Sequence, residues 1–510
     1  MPFHGNIPLD CVDAGNMGSY GTILKTTGVV GASRIFTILA NLVKTKVIAA
    51  ILGPAGIGIY GLYQSVAEMV VGFGDLGISQ SGVRQVALAN SQKDLQRVAV
   101  VCGVMRKTVL FSAFVCSILL CLFSRAISRH LFDTDAYRWG VCVVGIYVFC
   151  TILSKTQLAV LNGVRRIKHM AVSQICGAVA GGLAACVAVW FLHEQGIAFA
   201  FAGLGLAVLG SSWLFLHRLH IPKVRLSWQD WGREWKGLIG LGVGLVVAHV
   251  ASYVTNYYSR VFIRHSLGLE SVGIYQSCWA VSNLYVGLIL AAMGVDFLPR
   301  IMRHVDDKQM LSKSLNEQME LGLVVCLPCV VATFVFAPFI LRILYSAEFM
   351  SAAFIIRWQI VGVALRLLAW PFGYLLIALG RTKLFVAVQL VFYALELVLL
   401  IVFVRLGGIN GLGPQFFLAY LIYLGGVCLF GRMLVDFKMS PLLKRVCAVS
   451  GILLALACGG LHWLGATSLS YYAGGSVLLL ASIGYSWHVA RHSFGLDLSA
   501  VLSRRKGNRA

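Results

Sequence analysis

Charge is what this chain has least of, and acid is the scarcer half. Only 12% of its 510 residues are charged, with 20 Asp and Glu against 42 Lys and Arg, while 59% are hydrophobic. A soluble fold of this size has too little interior to hide so much apolar surface, so most side chains must meet lipid or other helices. Alternating-polarity stretches of about ten residues are absent, which excludes a membrane β-barrel. The pattern G-x-x-x-x-G-K-[ST] does not occur, so no P-loop ATPase is built into the chain. No loop between apolar segments exceeds about twenty residues, too little for the acidic or His-rich outer loops of enzymes that act on lipid-linked sugars. Met1 to Tyr20 lacks the basic start and short apolar core of a cleavable signal peptide. It reads as a cytoplasmic tail, with Met17 as a second candidate start.

What is present is a series of apolar runs of about twenty residues, each long enough to cross a bilayer as a helix. Their cores begin near Val29, Ile57, Thr108, Trp139, Met170, Ile197, Gly237, Val272, Leu321, Phe354, Leu384, Gly411, Val446 and Tyr471. The expected fold is therefore an all-α polytopic membrane protein of about fourteen transmembrane helices. The net charge of +22 follows topology. With the N-terminus in the cytoplasm, about 29 Lys and Arg fall on the cytoplasmic side, about 8 outside and about 5 within spans. Clusters such as Arg165-Arg166-Lys168, Arg381/Lys383 and Arg504-Arg505-Lys506 lie on alternate loops. Both termini are then cytoplasmic, and the basicity serves orientation and anionic lipid rather than nucleic acid. The 14 cysteines are scattered along apolar helices, where a free thiol behaves as a small hydrophobe. Cys326-Leu327-Pro328-Cys329 has redox spacing but lies inside a span, away from any activating polar context.

One word is written twice. Leu52-Gly53-Pro54-Ala55-Gly56-Ile57-Gly58-Ile59-Tyr60 returns about 215 residues later as Leu267-Gly268-Leu269-Glu270-Ser271-Val272-Gly273-Ile274-Tyr275. Val66, Val71 and Gly72 then match Val281, Val286 and Gly287, and Glu68 falls opposite Asn283. Such internal repeats mark transporters, whose two halves rock about a central site. The organisation expected is a tail (1–26), a lobe of six spans (27–220), a polar linker (221–236), a second six-span lobe (237–434), two further spans (435–490) and a basic tail (491–510). The two lobes would be pseudo-symmetric about a central cavity. In the linker Trp228, Trp231 and Trp235 share one helical face, as in a helix lying at the headgroups. Gly240-Leu241-Gly242-Val243-Gly244 suits close helix packing better than a phosphate cradle.

Ionisable groups inside spans are costly and face a cavity or a partner. Arg34, Lys44 and Lys46 lie on the first span, and Arg260 and Arg264 at the outer end of its repeat counterpart. At the other ends stand Arg84 in one half and Arg300 with Arg303 in the other. A chamber with cations at both mouths suits a phosphate or pyrophosphate that enters on one side and leaves on the other. The alternative is that these side chains snorkel to headgroups. Glu68 and Asp75 lie on nearly one face of the second span. They are candidates for coupling to an ion gradient or, alternatively, for neutralising a nearby Lys or Arg. Arg366 and Glu396 sit at similar depth on consecutive spans, so an ion pair is expected there, with Glu396 a further coupling candidate. Lys155, His249 and Asp296 read as packed polar groups.

The G-P-x-G-x-G-x-Y element at Gly53 to Tyr60, Val272-Gly273-Ile274-Tyr275-Gln276 and Phe297-Leu298-Pro299-Arg300 resemble the Wzx-type polysaccharide flippases. The stretch from Trp358-Gln359-Ile360-Val361-Gly362 through Phe372-Gly373-Tyr374-Leu375-Leu376-Ile377-Ala378 is similar to the tenth span of enterobacterial common antigen and O-antigen translocases. The resemblance covers roughly Val29 to Leu434. It implies the fold of the multidrug/oligosaccharidyl-lipid/polysaccharide exporter (MOP) superfamily, two six-helix bundles forming a V. It also implies flipping of an undecaprenyl-pyrophosphate-linked oligosaccharide from the cytoplasmic to the periplasmic leaflet of a bacterial inner membrane, for lipopolysaccharide or a related glycan. Lys46 and Arg366 occupy positions where the resembling sequences also place a basic residue. The two extra spans depart from many Wzx proteins and match lipid II flippases, and Asp75 and Asp296 match no family position. The implied partners are that lipid-linked oligosaccharide, membrane lipids, a polysaccharide polymerase and a chain-length regulator. No cofactor, metal or catalytic residue is expected, only a proton or sodium ion for coupling. The rival readings are a lipid II flippase, a cation-coupled multidrug exporter of the same superfamily, and a membrane glycan polymerase or ligase.

Reporter fusions check this topology. Those after Lys168, Lys236, Arg303 and Arg445 should report cytoplasm, and those near Gly56, Glu194 and Ala466 periplasm. Two or more reversed sites among the first twelve spans overturn the two-lobe organisation.

Overall fold

The computed structural model describes residues 19–219, 243–465 and 468–494, with isolated positions between 222 and 235. Among the described residues the chain forms fourteen α-helices and two short 3-10 turns, with no strand. Eight helical stretches are long and apolar enough to cross a membrane, and three of them, of 45, 51 and 54 residues, are long enough for two crossings each. Packing divides the chain into two compact units, Met1–Gly273 and Ile274–Ala510.

Unit 1 opens with α1 (Ser19–Asp75), which begins inside the stretch read as tail. α1 is two helices, broken at Gly53 (φ 62°, ψ −158°) just before Pro54. Lys44 Nζ donates to Tyr60 Oη at 2.9 Å across sixteen residues, which on an unbroken helix would lie about 24 Å apart. The first two spans are therefore a hairpin. A short α2 (Ile78–Ser91) leads to α3 (Leu95–Leu122), α4 (Ser124–Phe132), α5 (Arg138–Gly163) and α6 (Ile167–His217). α6 is also a hairpin, broken at His193 (φ 49°) and closed by Ser211 Oγ donating to Ser173 O at 3.0 Å. α7 (Val243–Leu267) completes the unit and packs on α1. At the centre Phe201 stacks on Tyr60 (4.9 Å) and meets the edges of Tyr63 and Tyr147. Of the linker indoles, Trp231 and Trp235 stack at 5.9 Å, and Trp231 Nε1 donates to Thr108 Oγ1 at 3.0 Å. Trp228, Arg233, Lys236, most of the glycine run after Lys236, and the tails before Ser19 and after Phe494 lie outside the described residues.

Unit 2 takes up most of α8 (Leu269–Met302), then α9 (Lys308–Leu344), α10 (Ala353–Ala378), α11 (Thr382–Gly407), α12 (Leu412–Val435), α13 (Pro441–Leu464) and α14 (Leu469–Ser493). The long α9 bends at Phe336, two residues before Pro338. It packs against α10, α13 and α14, so the two spans that lack a counterpart in the first half are built onto the same core. Ser440 Oγ bonds to the Glu320 carboxylate, and Ser440 N donates to Asn316 Oδ1 at 2.8 Å, pinning the start of α13 to α9.

The repeat extends far beyond the glycine word. Positive φ occurs at Gly53 and Gly268, at Arg165 and Gly380, and at His193 and Gly408, and each pair keeps the spacing of the repeated word. α3 and α9 both start more than three turns ahead of the apolar runs near Thr108 and Leu321. Asp94 caps the first through Arg97 N (2.8 Å), and Asp307 the second through Gln309 N (2.9 Å) and Met310 N (3.0 Å). The apolar runs mark the apolar middle of these helices, much of it buried against neighbouring helices, and miss their polar, capped first turns.

The repeated glycines meet inside unit 1. A Cβ on Gly58 would lie 2.3 Å from Leu269 O, and one on Gly273 would lie 1.8 Å from Pro54 O. These are backbone atoms and cannot swing aside. Gly58→Ala and Gly273→Ala should each destabilise by about 1–3 kcal/mol through overpacking, read as a lower Tm in detergent. Gly210→Ala, with nothing within 4 Å of the added carbon, should leave Tm unchanged or slightly raised. Equal Tm for all three variants overturns the close approach.

Candidate functional site

Lys44 is buried, only 4% exposed. Its ammonium donates to Tyr60 Oη (2.9 Å) and Asn41 Oδ1 (3.2 Å) and lies 5.0 Å from the Tyr60 ring centre. The sequence reads Lys44 as an open cation at a mouth; the hairpin turn at Gly53 folds it instead against the second span. Lys46 is half-buried, while Arg34 and Arg84 are exposed.

Arg260 and Arg264 share α7 but have different surroundings. Arg260 is 2% exposed and donates to Asn256 O at 3.0 Å. Arg264 reaches Phe132 O at 3.3 Å and Asp133 Oδ2 at 3.6 Å, and His265 Nε2 lies 3.3 Å from the other oxygen of Asp133. Just beyond, Arg129 and Arg125 clasp Asp135 at 2.7 and 3.2 Å. The hydrogen bond from Arg129 holds this exposed carboxyl below the usual carboxylate range. Sequence reading passed over Asp133 and Asp135; their signal was two aspartates in a loop otherwise rich in Arg and His.

Glu68 accepts from Gln64 Nε2 at 2.6 Å, and Asp75 bonds to Ser79 Oγ. Among the described residues neither forms an ion pair, so neutralisation by a nearby Lys or Arg is not what the fold provides.

In unit 2 the expected Arg366–Glu396 ion pair does not form. Arg366 Nη1 donates instead to Asn283 Oδ1 at 2.8 Å and lies 5.9 Å from the Tyr420 ring centre. Asn283 on α8 is oriented by its own Nδ2–H to Trp279 O at 2.9 Å. Ser282 beside it donates to Gln359 Oε1 (3.2 Å), so α8 and α10 are joined by two adjacent polar contacts. Glu396 contributes its backbone carbonyl to Gln415 Nε2 at 3.1 Å. Phe392 stands against Tyr393, Tyr420 and Tyr423 at 4.5–5.6 Å, forming an aromatic neighbourhood beside Arg366. Arg300 is neutralised: Nη1 meets Glu317 Oε2 at 3.1 Å and Nη2 meets Gln318 Oε1 at 3.0 Å. The side chain of Asp296 lies outside the described residues.

Sequence reading also missed Arg357, on the first turns of α10. Its Nε donates to Phe334 O at 3.0 Å. That carbonyl would ordinarily receive the N–H four residues on, which is Pro338 and has none. A proline four residues after the acceptor was the available signal.

Charged groups set inside long apolar helices, on a backbone that repeats itself, are the features of a membrane transporter. The profile of the family described as polysaccharide biosynthesis protein matches residues 47–353. The chain belongs to that family. It is 23% identical over 415 residues to the lipid III flippase of Escherichia coli (strain K12), a match covering 80% of this chain and 97% of that protein. A putative O-antigen transporter of Shigella flexneri is 25% identical over 349 residues, covering 65% of this chain and 79% of the relative. Among solved structures, an inward-facing multidrug resistance MATE family transporter of the MOP superfamily aligns with a TM-score of 0.68 at 13% identity, over 81% of this chain and 99% of that one. The lipid II flippase MurJ in its inward closed conformation aligns with a TM-score of 0.67 at 12% identity, over 92% and 99%. The family and the MOP fold expected from the sequence are both borne out.

Proposed function

We infer that this chain flips an undecaprenyl-pyrophosphate-linked oligosaccharide from the cytoplasmic to the periplasmic leaflet of a bacterial inner membrane by alternating access. The observation that carries this reading is the match along 97% of the lipid III flippase, within a family of polysaccharide biosynthesis proteins. The chemistry agrees with an anionic cargo. Lys44 and Arg366 are held by neutral acceptors, a phenol and amides, and among the described residues neither forms a salt bridge with a carboxylate. A cation-coupled multidrug exporter would need fewer basic groups and more acidic or aromatic ones at its site. Lys46 and Arg366 are the residues proposed to attract the pyrophosphate as it enters and leaves.

Deleting the gene in its own host should abolish the surface glycan and accumulate its lipid-linked precursor. Lys46→Ala or Arg366→Ala should then restore at least about tenfold less glycan than wild type, the effect of losing about 1.4 kcal/mol of cargo stabilisation, at equal protein in the membrane. Lys46→Arg and Arg366→Lys should retain part of the activity. Full complementation by both alanine variants overturns the assignment of these cations.

Glu68 is proposed as the coupling carboxylate. Its neutral partner Gln64 (2.6 Å) can accept a proton-loaded or an ionised carboxyl by rotating its amide, and the equivalent Asn283 cannot titrate. Glu68→Gln mimics the loaded form, so it should bind cargo but fail to turn over, and Glu68→Asp should keep partial activity. Flipping in proteoliposomes with and without an imposed pH gradient decides. If wild type ignores the gradient, or Glu68→Gln responds as wild type does, Glu68 is structural.

A further inference from the structure

Two cysteines on consecutive long helices meet at one end of unit 1. Cys121 is the penultimate residue of α3, and Cys142 lies on the first turns of α5. Their thiols hydrogen-bond to each other. Each sulfur also lies 3.9 Å from the other residue's backbone carbonyl oxygen, so the two side chains cross in a reciprocal contact. One turn deeper, Ser117 Oγ donates to Gly145 O at 2.9 Å and keeps the same register between the helices. Cys121 is exposed and Cys142 half-buried. Cys326, of the pair with redox spacing in α9, is by contrast fully buried and out of reach of an oxidant in solution.

We propose that Cys121 and Cys142 are a modification site, joined as a disulfide by exchange with a dithiol–disulfide oxidant of the periplasm. Each sulfur already touches its partner's backbone, so most of the approach that an S–S bond needs has been made. The depth also fits. Arg125 follows Cys121 by four residues and Arg138 precedes Cys142 by four, which sets both thiols within about 6 Å of a charged helix end. The distribution of Lys and Arg places this end outside, where disulfides form and persist. The inference rests on the orientation and the bacterial inner membrane of the proposed function, not on its cargo. One cysteine, as thiolate, attacks the oxidant's disulfide and displaces one of its sulfurs. The second cysteine then attacks the mixed disulfide at the sulfur of the first. The protein loses two electrons and two protons, and the oxidant leaves as a dithiol. The bond would close the segment that carries α4, whose far end holds Asp133 near Arg264 and Asp135 against Arg125 and Arg129. Exposed ion pairs such as these hold a loop weakly; a covalent staple at its base fixes the spacing of α3 and α5 beneath it.

The test uses the full-length protein in its own host. Cells are quenched in acid, free thiols are alkylated in denaturant, and the remaining sulfurs are reduced and tagged with a maleimide that adds visible mass. Wild type should gain two tags. Cys121→Ser and Cys142→Ser should each lose both, because either substitution frees the other sulfur for the first alkylation. Cys116→Ser and Cys150→Ser, neighbours on the same two helices, should keep both. Wild type without tags, or Cys121→Ser and Cys142→Ser that keep them, overturns the disulfide. A membrane-impermeant maleimide on intact spheroplasts of cells grown with dithiothreitol separates the causes. If it reaches Cys121 in wild type and gives a weaker signal in Cys121→Ser, the orientation stands and the pairing alone has failed. If it reaches Cys121 only after lysis, the orientation has failed and the disulfide with it. In the purified protein dithiothreitol should lower the Tm of wild type by a few degrees and leave that of Cys121→Ser unchanged. The same response in both overturns the bracing of α3 against α5.

Discussion

Two glycines touching backbone to backbone set the terms for the first unit. Helices in lipid gain little from burying apolar surface, because lipid is as apolar as the side chains; they hold together by close van der Waals contact. Gly58 lies so near Leu269 that a Cβ would fall 2.3 Å from its carbonyl oxygen, and Gly273 is closer still to Pro54. That approach needs both chains to have turned just beforehand, at Gly53 and Gly268, where φ is positive. Once the turn at Gly53 is made, Lys44 necessarily faces Tyr60, and Tyr60 faces Phe201. The position of a buried cation is thus a consequence of where the chain has no side chain.

The shortage of acid has its own consequence. With few carboxylates to spare, the chain satisfies its intramembrane cations with neutral acceptors: Tyr60 and Asn41 for Lys44, Asn283 for Arg366, a proline-freed carbonyl for Arg357. A neutral acceptor lowers the cost of burial and leaves the charge in place, whereas an ion pair cancels it. Arg300, where a glutamate does pair, shows the other arrangement near the end of α8. Repulsion between uncancelled cations is tolerable where an anion is expected to visit.

The repeat and the span positions were legible because they rest on glycine geometry and long apolar runs, both of which show in one dimension. The partners of the charges were not. Arg366 and Glu396 have suitable depth and opposite sign, but depth fixes only one coordinate of three; rotation about each helix axis decides the pair, and it turns Arg366 toward α8. Lys44 was misread for a related reason, since a hairpin bend redirects a side chain that a straight span would present outward. The capped starts of α3 and α9 were hidden because hydropathy registers lipid contact and passes over hydrogen bonding at helix ends, although Asp94 and Asp307 carried that signal. Arg357 was missed because the reason for it lies on another helix.

The two halves keep one backbone and change its chemistry. Arg165 and His193 adopt the positive φ that glycine supplies at positions 380 and 408, so the fold imposes the turn even on residues that resist it, at a cost of about 1–2 kcal/mol each. The divergence continues in the polar interior. Glu68 with Gln64 stands where the other half has Asn283 with Arg366, an acidic side chain on an amide in one half and an amide on a basic side chain in the other. The repeat therefore preserves the turns and the close helix contacts, which depend on backbone geometry. It leaves free the side chains that face the polar interior, where one half carries a carboxylate and the other, on the matching helix, an amide that holds a guanidinium.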